Sequence, residues 1–106
     1  DLVFPPDLME RIAKKSMASI HEVPPGDRGI GWFCASEVIQ KKTKNGKIFH
    51  RIKAINNVYK SVWLRVWGNP REAILPYSMW VADVSHDEAW GYSTTCWKMK
   101  KIDAYD

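Results

Sequence analysis

The spacing of apolar residues changes character once along the chain, near Gly29. Before it, Leu8, Met9, Ile12, Ala13, Met17 and Ile20 recur at intervals of three and four, the repeat of one helix face, while Arg11, Lys14 and Lys15 fall on the other side. Asp7 followed by Glu10 has the form of a capping box. A helix is therefore predicted from about Leu8 to about Ile20, ending before the Pro24-Pro25-Gly26 break. After Gly29, β-branched and aromatic residues come in short runs divided by Gly, Asn and Pro, the punctuation of strands. Five strands are predicted: Trp32 to about Lys42, Ile48 to Ile55, Ser61 to Trp67, Met79 to Val84, and Trp90 to about Met99, the last with a break near Thr94-Thr95. Asn45-Gly46 between the first two is a strong hairpin signal. Asn56-Asn57 and Gly68-Asn69-Pro70 end the next two, and a polar loop, Ser85 to Ala89, precedes the fifth.

Successive strands with no helix between them predict a small antiparallel barrel, because closure removes the exposed edges an open sheet would leave. The fold class expected is all-β with one N-terminal helix. Residues 1–28 form the helix and a Pro-rich linker, 29–102 the barrel and 103–106 a tail. The helix's Met-containing stripe is expected to close one end of the barrel or to pack on a larger protein. Alternation then sorts the strand residues into faces. Val62, Leu64 and Val66 share one face with His50, Ile52 and Ala54, leaving Phe49, Arg51, Lys53, Trp63, Arg65 and Trp67 on the other. If the aliphatic faces fill the barrel, its outside carries rings interleaved with cations.

Charge sharpens this picture. The 106 residues have a formal net charge of +4, but no acid lies between Glu37 and Glu72, a stretch with nine Lys and Arg. The remainder holds seven basic residues against twelve acidic ones. A basic middle inside acidic flanks favours a polyanionic partner over a merely solvated face. Rings give unpaired bases a stacking platform and cations hold phosphates, a pairing suited to single strands. The lysines of the first hairpin, Lys41, Lys42, Lys44 and Lys47, are expected to grip the backbone beside the patch. The competing expectation is that Trp63 and Trp67 pack against the helix or a neighbouring domain.

Other chemistry lacks its signature. Cys34 and Cys96 are too few for a disulfide framework and read as free thiols of a reducing, cytoplasmic compartment. His86-Asp87-Glu88 does not have the spacing of a metal site, and no Gly-rich phosphate loop or paired catalytic carboxylates occur. No catalytic residue, cofactor or metal is expected. No apolar run reaches the roughly 18 residues of a membrane span, so no membrane partner is expected. A chain beginning at Asp1 reads as a piece of a longer protein.

The run Cys34-Ala35-Ser36-Glu37-Val38 to Lys41-Lys42-Thr43-Lys44-Asn45-Gly46-Lys47, the second strand with its Asn56-Asn57 turn, and Val62 to Val66 resemble the OB domain of bacterial replicative DNA polymerase III alpha subunits. The resemblance covers about Ile30 to Trp67. It departs at Asn56-Asn57, where the family has an acidic pair, at Trp63 and Trp67 in a strand usually more aliphatic, and at Gly68 to Ser78, short for the helix many OB folds place there. A divergent, phage-encoded member fits these departures. The resemblance implies a five-stranded OB-fold Greek-key barrel that binds single-stranded DNA near a polymerase's template path, as a non-catalytic part of a larger replication protein. An RNA- or tRNA-binding OB domain and a protein-docking module are the alternatives.

Overall fold

The computed structural model describes residues 17–102. Six strands form one sheet: β1 (Arg28–Lys42), β2 (Ile48–Ile55), β3 (Ser61–Trp67), β4 (Ser78–Asp87), β5 (Gly91–Thr95) and β6 (Met99–Lys101). Their order is β1-β2-β3-β5-β4-β6, and β1 also pairs with β4, which closes the first five into a barrel with β6 as an extra strand outside it. All pairings are antiparallel except β3 with β5. The all-antiparallel expectation is thereby corrected to a mixed barrel: β4 crosses over to pair with β1, so β5 returns alongside β3 in the same direction. This arrangement is compatible with an OB-like fold.

One strand makes the closure possible. Arg28 to Ala35 of β1 pairs with β4, while Cys34 to Lys42 pairs with β2. A bulge between Ala35 and Glu37 marks the change of partner, with the Ser36 hydroxyl donating to the Lys53 carbonyl at 2.9 Å. An extra residue bends and twists a strand, which lets one β1 serve two sides of a barrel.

The aliphatic faces do fill the interior. Phe33, Ala35, Ile52, Ala54, Leu64, Val66, Trp80, Ala82, Val84 and Tyr92 form the inner core with three residues from outside the strands, Ile20, Val23 and Ile74. Trp32, Cys34, Ile55 and Met79 form a second buried cluster on the outward faces of β1, β2 and β4.

Several sequence expectations are corrected at their boundaries. The predicted helix lies outside the described residues up to 16. Within them Met17 to Ser19 are not helical, and Ile20–Glu22 is a single 3-10 turn. β1 begins at Arg28 rather than Trp32, because Gly31 allows the chain before it to dock. A Cβ there would lie 2.6 Å from the Ile20 nitrogen, and in its absence Ser19 bridges to Trp32. β4 runs on to Asp87. The predicted fifth strand divides into β5, the 3-10 turn Cys96–Lys98 and β6. The β3–β4 connection holds no helix, and Ile74 reaches the inner core from it instead. No helix among the described residues is long and apolar enough to cross a membrane.

Candidate nucleic-acid interface

Cross-strand register orders the outer face into rows, since directly opposed residues point the same way. Lys41, Phe49, Trp67 and Thr95 form the first row across β1, β2, β3 and β5. Ile39, Arg51, Arg65 and Ser93 form the second, and Glu37, Lys53 and Trp63 the third. Rings and a cation therefore alternate along β3, as Trp63, Arg65 and Trp67, while β2 presents one ring and two cations, Phe49, Arg51 and Lys53. Beyond the third row the face becomes apolar and closed at Cys34 and Ile55.

The side chains engage one another. The Phe49 and Trp67 rings are tilted with centroids 4.7 Å apart. The Arg51 guanidinium lies 4.2 Å from the Trp63 centroid, Lys47 Nζ lies 4.8 Å from that of Trp67, and Arg65 stands between Trp67 at 6.0 Å and Trp90 at 5.9 Å. Each such contact is worth about 0.5–1 kcal/mol at an exposed site and holds the ring and the cation in fixed relation. The rings keep open surface: Trp63 is exposed and Trp67 half-buried.

The charge on this face is largely uncompensated. Arg51 and Arg65 sit directly opposite each other, an arrangement that costs stability between like charges. Among the described residues the only ion pairs are Arg28 with Asp83 and Lys53 with Glu37, the latter at 3.9 Å. Arg65 also keeps a buried Nε without a hydrogen-bond partner. An anion placed over the two guanidinium groups would relieve that repulsion.

The β4–β5 turn adds a ring that the sequence reading assigned to a strand. Asp87 Oδ1 accepts hydrogen bonds from the amides of Ala89, at 2.8 Å, and Trp90, at 2.9 Å. This is the local bonding by which Asp turns a chain. Gly91 then takes φ +81°, and the Trp90 side chain is left 74% exposed beside Arg65. The two amides, followed by the nearby positive charges of Arg65 and His86, hold the Asp87 carboxyl below its ordinary pKa. Because folding lowers this pKa, the turn's stabilisation is complete above the ordinary Asp range, about 3.9, and is lost as pH falls through the lowered value. NMR titration is expected to show the Ala89 and Trp90 amide signals moving together below pH about 3.9. Asp87→Asn keeps the acceptor and should abolish that titration. Movement at the ordinary value would contradict the capping role.

The structure brings Lys47, Phe49, Arg51, Lys53, Trp63, Arg65 and Trp67 together, with Lys53 partly engaged by Glu37. Lys42 does not join them. The bulge at Ser36 shifts the alternation by one, so Lys41 pairs across from Phe49 on the outer face and Lys42 points the other way. Lys44 stands exposed in the β1–β2 turn, which is closed by Thr43 and Lys47 bonding through backbone and hydroxyl and by Gly46 at φ +82°. Trp90 is the member that sequence reasoning missed.

The other candidate chemistry resolves into structural roles. His86 Nδ1 lies 2.7 Å from the Val23 carbonyl oxygen, and its ring stacks on Tyr92 at 3.9 Å. His21 is buried with Nε2 3.0 Å from the Ala54 carbonyl oxygen, and burial lowers its pKa. Burial pushes the Cys34 thiol up to about 12, so it stays protonated at neutral pH. No cluster of three or more metal-ligating side chains occurs among the described residues. In comparisons with known proteins, the chain matches no protein-family model, no curated protein and no solved structure.

Proposed function

We propose that this chain is a non-catalytic, OB-type module that binds single-stranded DNA across the outer face of β2 and β3. Bases stack on Trp63, Trp67, Phe49 and Trp90, and phosphates lie along Lys47, Arg51, Arg65 and Lys41. The observation that carries the reading is the gathering on one face of partly open rings with two arginines that form no close ion pair. A duplex would cover its bases and leave the rings unused, whereas an unpaired strand uses both halves of the pattern. Placement within a cytoplasmic replicative polymerase rests on the resemblance of about Ile30 to Trp67 to the polymerase III alpha OB domain.

Binding of labelled oligo-dT, followed by anisotropy over a range of salt concentrations, tests the reading. Affinity should fall as salt rises, with a log–log slope of about 0.7 per phosphate contact on a single strand. Removing two contacts with Lys41→Ala and Lys47→Ala together should flatten that slope by about 1.4. An unchanged slope would remove the first hairpin from the site. A face built for a protein partner predicts no oligonucleotide binding even at low salt. Tighter binding of oligo-U than of oligo-dT would move the assignment to RNA.

A further inference from the structure

The outer row that ends at Trp67 does not end the run of exposed rings. Thr95, which pairs with Trp67, leads directly into the 3-10 turn Cys96–Lys98, and Trp97 in that turn is 75% exposed. The turn sits close against the end of β3 because residue 68 is glycine. A Cβ there would lie 2.8 Å from Cys96 Sγ and 3.9 Å from Cζ3 of the Trp97 ring, and Gly68 also takes φ +93°. Trp97 is thus brought beside the residue that follows Trp67.

The same ring lines a groove of about 590 Å³ between the β3–β4 connection and β6. Arg71, Lys100 and Lys101 line it too, with Glu72 as its one acid. Among the described residues none of these cations forms an ion pair. An open indole beside unpaired cations repeats, on a different part of the fold, the chemistry of the β2–β3 face.

We propose that this groove is a second subsite of the same single-stranded DNA track. A base beyond the one at Trp67 stacks on Trp97, and the phosphates that follow lie along Arg71, Lys100 and Lys101. The inference rests on the function proposed above and extends it: the site is longer than the β2–β3 face, and its far part is built from the segment after the barrel's last strand.

An oligo-dT series from about four to about sixteen nucleotides, the range of site sizes for a single OB fold, tests this by anisotropy on the full chain. Trp97→Ala should leave the affinity for the shortest binding oligonucleotides unchanged and weaken the longest by about 5- to 140-fold. Arg71→Ala combined with Lys100→Ala should lower the salt slope for long oligonucleotides only. Because all three side chains are exposed, the thermal midpoints should match that of the unaltered chain. Equal affinities of Trp97→Ala and the unaltered chain at every length would overturn the second subsite while leaving the β2–β3 site standing, as would an equal loss at every length. Failure of the unaltered chain to bind any length overturns both readings.

Discussion

Phe33→Ala is expected to lower the folding free energy by about 3–5 kcal/mol, as truncation of a fully enclosed aromatic does. Phe33 has no exposed surface and lies in the inner core on the half of β1 that pairs with β4. Its loss leaves a cavity at the seam where the barrel closes, where the surrounding strands cannot collapse without breaking register. A small domain has about 5–15 kcal/mol in total, so the variant should melt far below the unaltered chain or fail to fold. Urea denaturation measures it. The milder Phe33→Leu variant retains most of the volume and should remain folded with a smaller loss. A cost below about 0.5 kcal/mol for Phe33→Ala would contradict the closed core, since that is the range of surface substitutions.

Trp67→Ala should leave the chain folded, at a modest cost in stability from the lost ring contacts, and weaken oligo-dT binding by about 1–3 kcal/mol, the range for loss of a base-stacking ring. Trp67 is the most connected member of the face. Its ring meets Phe49 and lies under both Lys47 and Arg65, so removing it takes away a platform and releases two cations from fixed positions. Leu64, three residues earlier on β3, has no exposed surface and points inward. Leu64→Ala is the natural control: it should lose stability and, while folded, keep its affinity. Unchanged affinity in Trp67→Ala would remove stacking from the centre of the account.

The alternation on β2 and β3 was readable because every inward residue from Ile52 to Ala54 and from Val62 to Val66 is aliphatic and every outward one is a ring or a cation. No bulge interrupts that pairing, so counting by twos assigns the right faces. On β1 the same counting fails. One bulged residue, Ser36, reverses the face of everything after it, so that of the two neighbouring lysines Lys41, and not Lys42, shares the outer face with Phe49. Nothing in the local pattern announces a bulge whose purpose is to bend a strand between two partners.

Glycine misled in a different way. The first strand is predicted to start at Trp32, after Gly29 and Gly31, yet Gly31 is part of β1, where its missing side chain admits a neighbouring backbone. Trp90 read as strand because aromatic rings favour sheets. The stronger local signal was Asp87 followed by Gly91, an acceptor for two turn amides and a residue free to take positive φ. The parallel pairing of β3 with β5 is a property of strand order, which alternation within a strand does not encode.

The indole N–H signals of the six tryptophans provide the most direct test of the binding face. Trp32 and Trp80 are buried and serve as internal controls, their indoles donating to the Met17 carbonyl at 2.9 Å and to the Ser78 hydroxyl at 2.8 Å. Titration with oligo-dT at low salt should shift or broaden the Trp63, Trp67 and Trp90 signals and leave those of Trp32 and Trp80 in place, with the effect fading at physiological salt. Silence of Trp63, Trp67 and Trp90 at low salt, in a sample whose Trp32 and Trp80 signals report an intact fold, would contradict single-strand binding at this face.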